Sequence, residues 1–313
     1  MIKLAIVLPC YNEEDVLENS ALRLKGIFED LVSKKKISPD SFVLFVNDGS
    51  HDSTWDIITL LHQKSNLFKG LNLAHNVGHQ NAILAGMMTA KDISDAVITI
   101  DADLQDDVSV IEKMIDDYEQ GNEIVYGVKV SRKADPVLKR FTATAFYKLQ
   151  STMGAEIIYN HADFRLMSKR ALDYLAQYQE RNVYLRGLIP MLGLKSSKVD
   201  DIISERKAGQ SKYTLSKMLN LAIDGITSFS IKPIMMIVPI GFIFIIISII
   251  IMIHVLYEYI VGNVVPGWAS LMISIWFVGG VCLMAMGIIG IYIGKGYIEV
   301  KRRPLYLIQD SLL

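Results

Sequence analysis

The chain has 313 residues, 51% of them apolar, with 32 Lys and Arg against 33 Asp and Glu for a formal net charge of −1. That length allows one sizeable core and something further, and near-neutrality argues against a nucleic-acid partner, which ordinarily calls for a basic excess. The two cysteines, Cys10 and Cys282, lie in segments of opposite character, which speaks against a disulfide framework or a structural zinc site.

The opening stretch MIKLAIVLPCYNEED carries an apolar run too short for a signal peptide and reads as a buried strand. Short β-branched runs at 4–8, 42–46 and 96–100, with a weaker one at 70–73, alternate with helical spacing at 16–32, 54–62, 80–89 and 108–118. This alternation predicts βαβ units and a mainly parallel sheet to about residue 122. Ligands of such sheets sit beyond the carboxyl ends of the strands. Four polar motifs fall there: PCYNEED, NDGSHDST, AHNVGHQN and DADLQDD. Without GxGxxG or a Walker lysine motif, the ordinary dinucleotide and P-loop readings lose their support.

Residues 136–153 place Leu138, Phe141, Ala145 and Leu149 on one helical face and Lys139, Arg140 and Lys148 elsewhere, a pattern suited to a membrane surface. A second stretch, 215–229, is a further interfacial candidate. Residues 234–253 and 268–294 are uncharged and long enough to cross a hydrocarbon core of roughly 30 Å as helices. Lys232 precedes the first; Lys295, Lys301, Arg302 and Arg303 follow the second; the connection 257–267 holds Glu258 and no Lys or Arg. The positive-inside bias puts both chain ends in the cytosol and the connection outside, with Tyr257, Tyr259 and Trp268 in the interfacial belt. Two spans anchor a protein in the plasma membrane but are too few for a channel or transporter. Gly279, Gly280, Gly287 and Gly290 permit close helix contact and so a homo-oligomer. The expected organisation is a soluble domain at 1–212, an interfacial segment at 213–231, the membrane pair at 232–294 and a basic cytosolic tail at 295–313.

DADLQDD packs four carboxylates into seven positions, and their mutual repulsion must be offset. Asp101 and Asp103 suit a hard divalent cation, Mg2+ or Mn2+. Asp106 and Asp107 precede a predicted helix, where negative charge is favourable, and are expected as solvated caps. Glu14 and Asp15 read as a helix start in the same way, and Ser50 and Ser53 as capping residues. His75 and His79 stand four apart, but Asn76 and Gly78 between them read as a turn into a helix, favouring a ligand contact over a zinc pair. RKAGQSKY, with Arg206, Lys207, Ser211, Lys212 and Tyr213, is a cationic loop whose glycine hinge suits closure over a diphosphate.

Six motifs in order (LPCYNEE, VNDGSHDST, DADLQDD, ADFRLMS, RKAGQSKY and KRRPLY) resemble the inverting family-two glycosyltransferases. More narrowly they resemble the branch that moves a sugar from a nucleotide to a polyprenyl phosphate, as in dolichyl-phosphate mannose synthases and bacterial bactoprenol glucosyltransferases. The resemblance runs from the first strand to the tail. It implies an α/β GT-A domain, Rossmann-like with a mainly parallel sheet, followed by two transmembrane helices. It implies Pro9, Tyr11, Glu13, Val46, Asp48 and Gly78 at the nucleotide-sugar, and Asp103 as direct metal ligand with Asp101 and Gln105 at the same ion. Arg206 and Lys212 would contact the donor phosphates, and Lys129, Arg132 and Arg140 the lipid phosphate. Asp163 would be a base or an acceptor-orienting carboxylate, with Arg165 as its partner; Asp103, Asp163 and Arg206 form the expected catalytic set.

The implied reaction transfers a hexose, with inversion, to undecaprenyl phosphate on the cytosolic leaflet for cell-envelope glycan modification. UDP-glucose or UDP-N-acetylglucosamine is favoured as donor over GDP-mannose. A processive synthase is disfavoured by the lack of a QxxRW-type motif, and a catalytically silent scaffold by the survival of every acidic and cationic motif.

Overall fold

The computed structural model describes residues 1–129, 161–201, 232–261 and 267–313. The expectations for Arg132, Arg140, Arg206, Lys207, Ser211, Lys212 and Tyr213, and for helices at 136–153 and 215–229, fall outside the described residues. The described residues divide into two compact units, a sheet domain that includes 303–313 and a pair of long apolar helices.

The sheet domain alternates strand and helix through its first half: β1 (Leu4–Cys10), α1 (Glu14–Ser33), β2 (Phe42–Asn47), α2 (Thr54–Lys64), β3 (Phe68–Leu73), α3 (His79–Ala90), β4 (Ala96–Thr99) and α4 (Val110–Glu119). It continues with β5 (Ile124–Lys129), β6 (His161–Ser168), α5 (Lys169–Leu175), α6 (Leu185–Met191) and β7 (Ser196–Asp201). A last strand, β8 (Ile308–Leu312), completes an eight-stranded sheet of order β7-β5-β6-β4-β1-β2-β3-β8. Strands β1 to β4 pair in parallel, as the βαβ pattern requires. Strand β6 runs antiparallel to β4 and β5, and β8 antiparallel to β3. The reversed β6 therefore begins at the edge where β4 and β5 end. That edge gathers the polar motifs.

Strands β1, β2 and β4 are buried along their whole length, which is why their sequences are continuous apolar runs and do not alternate. Leu4, Ile6 and Leu8 pack with Leu17, Leu24 and Phe28 of α1 and with Ile111, Met114 and Ile115 of α4 on one face of the sheet. On the other face α3 approaches so closely that a Cβ on Gly86 would lie 2.3 Å from Val7 Cγ1 and 2.8 Å from Val46 Cγ2.

Two differences from expectation are local. The last residues of the basic tail, for which no strand was expected, form β8 on the edge of β3, where Leu312 reaches over Gly70. The helices α7 (Lys232–Val261) and α8 (Trp268–Lys301) also run beyond the apolar stretches that announced them. Their most apolar windows, Lys232–Ile251 and Phe277–Lys301, have mean hydropathy 3.1 and 2.1 and are 0% buried. Full exposure of such windows separates them from the core helices of a soluble protein, and membrane association follows. Phe244 of α7 and Phe277 of α8 meet with ring centroids 5.6 Å apart.

Replacing Gly86 by alanine is expected to lower stability by about 1–3 kcal/mol, because the added methyl would overlap Val7 and Val46, whose β-branched side chains are stiff at χ1. Thermal melting of the detergent-solubilised chain reads this directly; an unchanged midpoint would contradict the close α3 packing.

Candidate active site

The acidic loop after β4 divides its four carboxylates between different tasks. Asp103 is exposed, and its carboxylate accepts from the Gln105 side-chain amide. Asp101 has one oxygen, Oδ1, that is buried and receives no hydrogen bond among the described residues. Burial raises the Asp101 carboxyl above the ordinary aspartate range, against the pull of His79, and the neighbouring Asp163, Asp106 and Asp103 push the same way. The loop is held from behind by α1: Ser20 Oγ donates to the Ala102 carbonyl at 2.6 Å and Arg23 Nη1 to the Leu104 carbonyl at 3.2 Å. Leu104 sits at φ 46°, a left-handed conformation that a leucine keeps only when its surroundings impose it.

Asp106 and Asp107 do not act alike. Asp107 accepts from the Ser109 amide at 3.0 Å and its hydroxyl at 2.7 Å, so it serves the turn into α4 as expected. Asp106 is 2% exposed and ion-paired with Lys129 at 3.0 Å, which corrects its reading as a solvated cap. Beside it Asp201, fully buried, accepts the Asp107 amide at 2.8 Å. Burial, joined by the Asp106 charge, pushes the Asp201 carboxyl up to about 6, against the Asp107 hydrogen bond and the Lys129 ammonium. Lys129, expected at the lipid phosphate, thus already has an acidic partner at the end of β5.

Asp163 is the third residue of the reversed strand β6 and the centre of a buried ionic cluster. Its Oδ1 accepts from Arg165 Nη2 and, at 3.3 Å, from Arg186 Nε; its Oδ2 accepts from Arg186 Nη2 at 3.0 Å and lies 3.4 Å from His79 Nε2. Burial would raise the Asp163 carboxyl, but the His79 hydrogen bond and the Arg165 and Arg186 charges win and hold it well below the usual range. His79, the first residue of α3, also stands 3.5 Å from Oδ1 of Asp101, an ion-pair distance without a hydrogen bond. Burial pulls its imidazole down, yet the two carboxylates raise it overall. One imidazole therefore bridges the acidic loop and the ionic cluster. Arg165 was expected as the partner of Asp163; Arg186, in NVYLRGL, carried no signal because its acid lies 23 residues away in sequence.

The loops after β1, β2 and β3 interlock beside this cluster. Asp48, 3% exposed, accepts the backbone amides of Val77 at 2.7 Å and Gly78 at 3.1 Å. Burial raises its carboxyl, and those two hydrogen bonds oppose the rise. Gly49 at φ 64° lets the turn touch the neighbouring loop: a Cβ there would lie 2.6 Å from the Asn76 nitrogen. Ser50 Oγ accepts the Asn12 amide at 3.0 Å, and Thr54 Oγ1 accepts the Glu13 amide at 3.0 Å. Of the two expected caps, Ser50 is thus spent on tying loops together, and Ser53 makes no side-chain cap to α2. Glu14 likewise reaches across to accept the Ser53 amide at 3.0 Å. Of the residues expected at the nucleotide, Tyr11 is 43% exposed, whereas Pro9 and Val46 pair in register inside the sheet and are buried. Val46 is a floor residue, its side chain directed to α3.

Among the described residues no three His, Cys, Asp or Glu side chains are grouped to hold a metal unaided. Asp101 and Asp103 supply hard oxygens, one of them buried and without a hydrogen bond, so the donor set fits a divalent cation whose shell a substrate completes.

Comparison with known proteins agrees with this architecture. The model of a family described as glycosyl transferase family 2 matches residues 5–175. The glycosyltransferase YkoT of Bacillus subtilis (strain 168) is 50% identical over 309 residues, 99% of this chain and 92% of that protein. The bactoprenol glucosyl transferase of Shigella phage SfII is 37% identical over 314 residues, 99% of this chain and 98% of its own. A prophage bactoprenol glucosyl transferase homolog of Escherichia coli (strain K12) is 36% identical, covering 98% of this chain and 99% of that one. A family match over more than half of the chain, with relatives aligned from end to end, leaves one conclusion: the chain belongs to glycosyl transferase family 2.

Proposed function

We propose that this protein transfers a hexose from a nucleotide-sugar to a polyprenyl phosphate, inverting the anomeric centre, at the cytosolic face of the plasma membrane. The observation that carries the reading is the exposed Asp103 beside Asp101, whose buried Oδ1 receives no hydrogen bond among the described residues and faces the His79 imidazole at 3.5 Å, at the edge where an α/β sheet takes its ligand. The relatives named bactoprenol glucosyl transferase, aligned over both apolar helices and the tail, support glucose as the sugar and a polyprenyl phosphate as acceptor.

Asp101 and Asp103, with Gln105 beside them, would hold Mg2+ or Mn2+ together with the donor diphosphate. Bound there, the ion supplies neutralisation of the charge that develops on the leaving nucleotide. Tyr11 and Glu13, on the interlocked loops, hold the nucleoside, and Asp48 and Gly78 shape the wall beside it. Asp163 is a positioning residue in this reading. A carboxylate whose two oxygens accept from two guanidiniums and an imidazole is a poor base. None is needed, because the attacking phosphate oxygen is already ionised at neutral pH. Asp163 instead holds His79 against Asp101. Arg206 and Lys212 remain proposed donor-phosphate contacts, and Arg132 and Arg140 proposed acceptor contacts.

The pairing of β8 with β3 supports the proposed membrane topology. The chain leaves the sheet domain for α7, and after α8 its end pairs with β3 of that same domain, as two helices that return it to the side it left would allow. An even number of crossings does so, and the basic residues after α8 set that side as the cytosol. A cysteine in place of Asn263, in the connection between the helices, should react with a membrane-impermeant maleimide on intact cells, and one in place of Ser311 only after lysis. The reverse pattern would refute the orientation.

Activity is tested by offering UDP-glucose, UDP-N-acetylglucosamine and GDP-mannose, radiolabelled, with undecaprenyl phosphate in detergent, with and without added Mn2+ or Mg2+. One donor should give a lipid-linked product that EDTA abolishes; no product from any donor would refute the reading. Asp103→Asn should lose at least about a hundredfold in turnover with an unchanged melting temperature. Asp163→Asn should instead unfold more easily, by about 3–5 kcal/mol, because it strands the buried Arg165 charge. Equal melting of the two variants would contradict that division.

A further inference from the structure

Three polar side chains lie directly opposite one another on adjacent strands at the nucleotide end of the sheet. Asn47 ends β2 and faces Asn72 of β3, and Asn72 faces Asp310 of β8. Ser50 N–H donates to Asn47 Oδ1 at 3.2 Å, Asn47 Nδ2 donates to Asn72 Oδ1 at 2.7 Å, and Asn72 Nδ2 donates to Asp310 Oδ2 at 3.2 Å. The three donations run in one sense, from the loop after β2 to the last strand of the chain. Asn47 and Asn72 are 3% and 9% exposed, so their amide groups have little water to turn to.

An asparagine amide can face either way, and its neighbours decide which. A carboxylate only accepts, so Asp310 obliges Asn72 to present its NH2. Asn72 must then offer its oxygen to Asn47, and Asn47 in turn its oxygen to Ser50. Were both amides to flip, Asn47 would press an NH2 against the Ser50 N–H, donor against donor. We propose that Asp310, on the strand that follows the membrane helices, is a positioning residue for the loop 47–53, setting its backbone through this amide relay and so the binding of the donor nucleotide. The nucleotide role of the loop rests on the function proposed above; the relay itself does not. Asp310 touches no reacting atom. Its influence reaches the site because Ser50 also holds Asn12, and Asn12 Oδ1 accepts the His51 amide at 2.9 Å, binding the Tyr11 loop to the same unit.

The test is a series at position 310 in the full-length, detergent-solubilised chain. Asp310→Asn keeps an acceptor, Asp310→Leu removes it, and Asp310→Lys offers donors only and opposes the relay. Hydrogen exchange of the Ser50 amide, read from overlapping peptides across 47–53, should stay near wild type in the Asn variant and quicken about tenfold in the Leu variant. The Lys variant should exchange at least as fast as the Leu variant. With UDP-glucose as donor, KM should rise in the same order while kcat changes less than about twofold. A merely structural edge strand would tolerate lysine as well as asparagine, since exposed edges favour it. Equal Ser50 exchange across the series overturns the inference, as does a fall in melting temperature with exchange and KM unmoved. Failure of the wild-type protein to use UDP-glucose would bear on the proposed reaction alone, because exchange is read without turnover.

Discussion

The arrangement of the site depends on one buried ion pair. Arg165 is 1% exposed inside the sheet and has to be neutralised where it stands. Burial pulls its guanidinium down, while the charge of Asp163 opposes this and keeps the pair ionic. Because β6 runs against its neighbours, Asp163 lies at the same edge as the ends of β4 and β5. From that position it draws in Arg186 from α6 and His79 from the start of α3. His79 then reaches Asp101, so the acidic loop is aligned by a charge network rooted in the core.

The acidic loop shows how one stretch of sequence can hold two kinds of carboxylate. Asp101 and Asp103 keep oxygens available at the edge, at the cost of mutual repulsion that a divalent cation would relieve. Asp106, three residues beyond Asp103, is turned inward, where Lys129 at the end of β5 and Asp201 at the end of β7 gather round it.

The loops after β1, β2 and β3 are built on a different principle. Here no ion pair is central; backbone amides of one loop are satisfied by side chains of another, as Asp48 does for Val77 and Gly78 and as Ser50 does for Asn12. Such reciprocal satisfaction leaves few loop groups to be solvated separately and makes three loops one body. The C-terminal strand joins that body through Asn72.

Much of this was legible in the order of the residues. Continuous apolar runs announced β1, β2 and β4, helical periodicity announced α1 to α4, and the lengths of the uncharged stretches announced α7 and α8, because these patterns are local and follow from strand, helix and bilayer dimensions. The motifs after β1 to β4 could be assigned to one edge from the βαβ rule alone. The reversal of β6 could not, since strand direction is settled by partners and not by composition. IQDSL, exposed at four of its five positions, has no apolar alternation and becomes a strand only because β3 offers it a free edge. Arg186 and Asp201 look ordinary in sequence, as does the contrast between Asp106 and Asp107. Their roles arise from partners 23 to 94 residues away, and a charge acquires its meaning from what folding brings within hydrogen-bond reach.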